Sequence, residues 1–398
     1  MSEKQKIGTL FLITLGMLSM LPPMAVDMYL PAFLSIADYF HVNAENVPYT
    51  LTLFTMGMAV GQLFWGPVGD SFGRKPIILL GMLLSASMAF GLNFVNSIEN
   101  FTALRFAQGF FGAAPVVLVG ALLRDLFDKN ELSRMMSLIM LIVMIAPLVA
   151  PIIGGYLVKF FHWHTIFYVI AVFGFISVLL TWFVVPETHQ KANRVPLRLG
   201  IILRNFVVIS KQREVLGYMI SSGFGFGGMF VFLTLGSIVY IDLYGISVEN
   251  FGYFFMMNIG VMTLGSMLNG RFVGRVGAEK LLQLGLSIQL LSALWLLLVV
   301  FFDLGFWSMA IGVALFVGQN ALISSNAMAS ILAKFPQMAG TANSIAGSVR
   351  FGLGASIGSL AALLKLDSAA PMLFSMAACS IIAALIYYFL TYCKIKGN

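Results

Sequence analysis

Twelve long apolar runs separated by short polar turns organise this chain. They fall at 7–34, 48–68, 76–95, 100–123, 133–158 and 164–185, then at 215–241, 249–270, 280–301, 305–332, 340–364 and 370–392. A helix needs about 20 apolar residues to cross a hydrocarbon core, so each run predicts one spanning helix. The runs divide six and six around a polar segment, which predicts two six-helix bundles, 1–185 and 215–398, joined by a connector at 186–214. The connector mixes Leu197, Ile201, Leu203 and Phe206 with Arg198, Arg204, Lys211 and Arg213, the pattern of a basic amphipathic segment on a membrane surface; a plain linker fits the same residues. The first run follows Lys4 and Lys6 but continues to Leu34 with no small-residue cleavage site before Pro22-Pro23, so it reads as a retained span.

One polar turn recurs. Gly66-Pro67-Val68-Gly69-Asp70-Ser71-Phe72-Gly73-Arg74-Lys75-Pro76 lies between the second and third runs, and Gly270-Arg271-Phe272-Val273-Gly274-Arg275-Val276-Gly277 begins 204 residues later (270 − 66). Repetition at half-chain spacing predicts a duplicated membrane domain, a common build of secondary transporters. The copy is unequal, because Asp70, Arg74 and Lys75 correspond to Gly274, Ala278 and Glu279.

Composition removes the soluble alternatives. The chain is 60% hydrophobic and 10% charged, against about 25% charge in a soluble domain. The fold class is therefore an all-α membrane protein of twelve transmembrane helices. A net charge of +7 does not imply nucleic acid, because the basic residues sit in the turns. Alternating the spans puts nineteen of the 23 Lys and Arg residues on one side and only Lys159 and Lys365 on the other, with Arg105 and Arg350 inside spans. The positive-inside rule then predicts cytoplasmic termini and a cytoplasmic connector.

Chemistry is sparse within the spans. No phosphate-binding Gly-x-x-x-x-Gly-Lys-Ser/Thr occurs, no catalytic pair lies within a span, and His162-Trp163-His164 has no acid or cysteine to complete a metal site. No cofactor, no metal and no enzymatic activity are expected, and a gradient supplies the energy. Asp27 is the one acid deep inside a run, where a charge costs roughly 2.5–3.5 kcal/mol on insertion scales, so it is the candidate proton carrier. Pro22-Pro23 is expected to break the helix beside it. Arg105 lies at a similar depth, roughly 8–10 Å in, so a meeting with Asp27 that modulates the proton site is geometrically allowed; a structural arginine hydrogen-bonding backbone carbonyls is the alternative, and the two roles are compatible. Arg350 lies about ten residues, or ~15 Å, along the eleventh run and is the deepest charge, either a cavity group for a polar or anionic substrate or a structural arginine. Tyr29, Gln108, Asn258, Gln319, Asn320 and Asn326 are the uncharged polar candidates for a substrate cavity, and interhelical hydrogen bonding is their plainer role.

Gly66, Asp70, Gly73, Arg74 and Lys75 match the loop motif G-x-x-x-D-R-x-G-R-[RK] of the major facilitator superfamily, with Ser71 in place of its first Arg. Arg105, Gln108 and Gly109 match R-x-x-Q-G in the fourth helix, and Ala146-Pro147-Leu148-Val149-Ala150-Pro151-Ile152-Ile153-Gly154-Gly155 is similar to the antiporter motif of the fifth. Asp27-Met28-Tyr29-Leu30-Pro31-Ala32, Arg124-Asp125 and Pro186-Glu187-Thr188 narrow the resemblance to the Bcr/CflA branch of drug:proton antiporters. That resemblance implies a monomer in a bacterial inner membrane, exporting drugs in exchange for protons by alternating access. It implies bicyclomycin-like substrates, with sulfonamides or chloramphenicol-type compounds as further ones. Gly66, Asp70, Gly73, Arg74 and Lys75 would act as a conformational latch, for which a plain positive-inside turn is the alternative, and Pro147, Pro151, Gly154 and Gly155 would form the antiporter motif. Export of a small metabolite such as a sugar or amino acid is the alternative; a channel or a membrane-embedded enzyme fits the residues less well.

Overall fold

The computed structural model describes residues 8–127, 129–189, 200, 204, 207–209, 211–335 and 338–393; most of the connector expected at 186–214 lies outside them. Twelve helices are long and apolar enough to cross a membrane: α1 Thr9–Phe40, α2 Ala44–Phe72, α3 Arg74–Phe94, α4 Ile98–Leu126, α5 Arg134–Phe160, α6 His164–Val184, α7 Arg213–Leu243, α8 Val248–Val276, α9 Ala278–Phe302, α10 Gly305–Lys334, α11 Gly340–Ala362 and α12 Ala370–Tyr392. No strand occurs among the described residues. In hydrocarbon every backbone polar group must be satisfied within the segment, which leaves an apolar chain the helix as its spanning form. The outward side chains follow the same logic: Phe183, Leu291 and Phe301 are well exposed where lipid tails would lie.

Two boundaries differ from expectation. The helix of α1 runs unbroken from Thr9 to Asp27 through Pro22 and Pro23. Each proline removes only its own N–H, and the chain turns instead at a short 3₁₀ segment, Leu30–Ala32, that contains Pro31. The turn at Gly66–Pro76 is almost wholly helical, since α2 continues to Phe72 and α3 starts at Arg74. One residue makes the corner: Gly73, at φ 108°. Gly277, 204 residues later (277 − 73), makes the same corner between α8 and α9 at φ 89°. Side chains with a Cβ rarely adopt that backbone, so this glycine is what the repeat preserves.

The packing repeats after a shift of six helices. α1 packs on α4, α5 and α6 as α7 packs on α10, α11 and α12, and α3 packs on α4 and α6 as α9 does on α10 and α12. The first six and last six helices meet along two seams, α2 with α11 and α5 with α8, which the same shift exchanges. The end of the molecule bearing Arg74, Lys75, Arg124, Arg275 and Lys334 is termed the basic end below. At the opposite end the seams are shut. Lys159 Nζ of α5 donates to Glu249 Oε1 of α8 at 2.6 Å, and the Leu366 N–H after α11 donates to Glu45 Oε1 of α2 at 3.2 Å. Further along, Ser348 Oγ of α11 donates to the Ala59 carbonyl of α2 at 2.8 Å. At the basic end the α2–α11 seam parts around a cavity of about 440 Å³ whose lining includes Gly66, Asp70, Arg74, Arg124, Thr341 and Ser344.

Candidate functional site

The first cluster forms around Arg105. Gly109 of α4 lies against the Phe54 carbonyl of α2 with no room for a Cβ between them. That close approach sets the Phe54 ring 4.4 Å from the guanidinium, with Tyr29 at 4.6 Å and Phe167 at 5.7 Å. One turn after Arg105 on α4, Gln108 Oε1 accepts from Arg105 Nη1 at 2.8 Å. The R-x-x-Q-G spacing thus supplies a cation, its acceptor and the gap that brings an aromatic wall onto it. Arg105 and Gln108 are fully buried.

Asp27 is the last residue of the first helical segment of α1 and is 5% exposed. The final carbonyls of a helix lack donors within it. Arg105 Nη2 satisfies one of them, donating to the Ala25 carbonyl at 3.0 Å. Arg105 therefore reaches the backbone two residues before Asp27 and makes no ion pair with its carboxylate. No hydrogen bond or ion pair involves that carboxylate among the described residues. Tyr29 completes the wall, its hydroxyl hydrogen-bonded to Thr50 Oγ1. The antiporter motif closes the other side: Gly154 of α5 lies against the Met28 carbonyl, and Pro151 is buried beside it while Pro147 is partly exposed. Gly155 turns the other way, onto Val248 of α8 across the seam.

The second cluster lies at the basic end. Arg74 is paired with Asp70 and, through Nε at 3.4 Å, with Asp125 Oδ2 of α4. Asp125 Oδ2 also accepts from Thr188 Oγ1 at 3.0 Å, and Glu187 Oε1 accepts from the Arg74 N–H at 3.1 Å. Lys75 Nζ donates to the Trp182 carbonyl of α6 at 2.7 Å. These bonds tie the α2–α3 corner to α4 and to the segment after α6. Gly66 lies close beside Ser344 of α11 in the cavity lining. Arg124-Asp125 and Glu187-Thr188 carried the family resemblance in the sequence, but only the packed structure shows that Asp125 and Glu187 are partners of Arg74, with Thr188 bonded to Asp125.

The remaining candidates separate. Asn326 Nδ2 of α10 donates to Asn269 Oδ1 of α8 at 2.8 Å, an interhelical bond, and Gln319 Nε2 donates to the Leu315 carbonyl of its own helix. Asn320 likewise turns its amide to its own helix, at Val317, and leaves Oδ1 buried without a partner, as is Oδ1 of Asn258. Arg350 of α11 stacks on Phe226 of α7 at 4.4 Å and makes no ion pair among the described residues. No group of three or more His, Cys, Asp or Glu side chains fit to hold a metal occurs among the described residues.

The sequence model of the Major Facilitator Superfamily matches residues 15–359. The chain belongs to the major facilitator superfamily. Within it, the chain is 63% identical over 396 residues to a bicyclomycin resistance protein homolog of Haemophilus influenzae, covering 100% of both chains, which supports the Bcr/CflA branch. It is 27% identical over 263 residues to the multidrug transporter MdfA of Edwardsiella ictaluri, covering 65% of this chain and 63% of that relative. Among solved structures, a D-xylose-proton symporter superposes with a TM-score of 0.78 at 12% identity, covering 96% of this chain and 97% of the symporter, a likeness of fold alone. This member of the superfamily is a multi-pass membrane transporter and not an enzyme.

Proposed function

We propose that this transporter exports antibiotics and related drugs in exchange for protons, by alternating access between two six-helix bundles, 1–185 and 215–398. The observation that carries the reading is Asp27, a buried carboxylate with no bonded partner among the described residues, at the point where α1 breaks and α5 presses its antiporter-motif glycine onto the chain. Such a carboxyl can hold a proton in one stage of a cycle and yield it when substrate arrives. Arg105 acts as its positioning residue by holding the Ala25 carbonyl, and so the last turn before Asp27, in place. Relatives named for bicyclomycin resistance and multidrug transport support drugs as the cargo. The charge asymmetry of the turns supports a basic end in the cytoplasm of a bacterial inner membrane. The shut outer seams and the cavity at the basic end correspond to an inward-facing stage of the cycle, in a protein that works as a monomer. The network of Asp70, Arg74 and Asp125 serves as the latch, keeping the first six helices one rigid body while the α2–α11 seam opens and closes. The test is a drug-susceptibility panel in an efflux-deficient host overexpressing the chain, with and without an uncoupler. Resistance to bicyclomycin that the uncoupler abolishes is expected; resistance indifferent to the uncoupler, or none to any compound, would contradict the reading.

A further inference from the structure

Among the described residues, three charged side chains lie well inside the spans: Asp27, Arg105 and Arg350. The two arginines are treated differently. Arg105 is enclosed by a backbone carbonyl, an amide oxygen and three rings. Arg350 has one ring, Phe226, itself braced by Phe230 at 5.9 Å and Phe351 at 5.4 Å. No carboxylate, carbonyl or hydroxyl among the described residues accepts a hydrogen bond from Arg350, and its Nε is sealed from solvent without a partner. The position is central. On α11 the residues just before it, Gly347 and Ser348, pack on Gln62 and Ala59 of α2, and those just after, Leu353 and Gly354, pack on Gly223 and Phe226 of α7. Arg350 thus stands where the first six and last six helices face one another.

A ring stacked on a guanidinium covers its face and leaves the in-plane N–H donors free. The sealed Nε is a costly stranded donor, and the two terminal nitrogens, on a half-buried side chain, are open to an acceptor that comes to them. Their forked geometry suits paired oxygens, as in a carboxylate, a sulfonyl group or adjacent carbonyls. Charge points the same way. Two interior arginines face one interior acid, so an incoming cation meets net repulsion where the dielectric is low, and an incoming acceptor or anion meets attraction. On the reading that the chain exports small molecules, we infer that Arg350 is the specificity-determining residue of the transport site, and that it selects substrates presenting an anionic or oxygen-rich acceptor group over lipophilic cations.

The test is equilibrium binding to the purified full-length protein of three probes: sulfathiazole under mildly alkaline conditions as an anion, chloramphenicol as a neutral acceptor, and tetraphenylphosphonium as a cation without acceptors. The native protein should bind the first two more tightly than the third. Arg350→Gln should weaken sulfathiazole and chloramphenicol by about tenfold or more, the worth of a charge-assisted hydrogen bond. It should leave tetraphenylphosphonium binding no weaker, and tighter by the repulsion removed, because no contact to a cation is lost and one like charge is gone. Arg350→Lys, which keeps the charge and loses the fork, should recover part of the sulfathiazole affinity and serves as the control for correct folding. A native protein that binds tetraphenylphosphonium as tightly as sulfathiazole, binds none of the three, or loses all three equally in Arg350→Gln would overturn the assignment. Selective binding in a protein that confers no resistance in cells would instead overturn the export reading and leave Arg350 its role.

Discussion

Gly154 of α5 lies directly on the carbonyl oxygen of Met28, the residue that follows Asp27. The antiporter motif therefore touches the chain at the break in α1, beside the proposed proton carrier. Any side chain at 154 must push α5 away from α1. Gly154→Val is expected to destabilise the protein by about 1–3 kcal/mol, the usual range for overpacking, and to abolish transport. Thermal unfolding of the purified variant, with efflux measured in parallel, checks both; a stable and fully active Gly154→Val would remove the contact from the account.

Arg105 offers a test of positioning. Arg105→Ala strands the Ala25 carbonyl and the Gln108 amide, each a buried polar group, and should cost about 1–3 kcal/mol per group left unpaired. Arg105→Lys cannot bond both acceptors in one plane and stack on three rings, so it should fail to restore efflux although the charge is kept. Efflux from Arg105→Lys at the native level would show that charge alone suffices.

The network at the basic end makes a separable prediction. Arg74→Ala and Asp125→Asn remove ties between the α2–α3 corner and α4 without touching the buried site around Asp27. Both should insert and bind probe normally while turning over several-fold more slowly, as expected for elements that govern a conformational step. Probe binding lost in step with turnover would place these residues in the site instead of the latch.

At the opposite end, Lys159 and Glu249 bridge α5 and α8 across the seam. A Lys159→Cys/Glu249→Cys pair, once oxidised, should stop transport reversibly, while a cysteine introduced at Asn343 on the basic-end cavity stays open to thiol reagents. The charge-swapped pair Lys159→Glu/Glu249→Lys should transport better than either single variant. Full transport after complete cross-linking would contradict a gate at this seam.

Much of the fold was legible because hydropathy and the glycine corner are written locally. The twelve spans follow from run length, and the Gly73–Gly277 spacing signals the repeat. Run length located the helices less well at their ends: α8 continues to Val276, past the 270 expected, because a helix satisfies its own backbone in water as in lipid. Pro22-Pro23 looked like the break near Asp27, yet the helix carried both prolines and turned near Pro31. The site was legible as residues and not as pairings. Arg105 and Gln108 stand in one motif and do bond, whereas the Ala25 carbonyl, the Phe54 ring and the Asp125–Arg74 pair depend on which helix faces meet. Asn326 read as either a cavity group or an interhelical hydrogen bonder, and that Asn269 is its partner could not be seen without α8 beside it.

Proton exchange at Asp27 is the central claim, and it is measured most directly by proton release. Substrate is added to the purified protein in unbuffered solution, and the pH of the medium is followed with an indicator dye. The native protein should release protons on adding bicyclomycin, and Asp27→Asn, correctly inserted and still monodisperse, should release none. Undiminished release from Asp27→Asn would contradict the account.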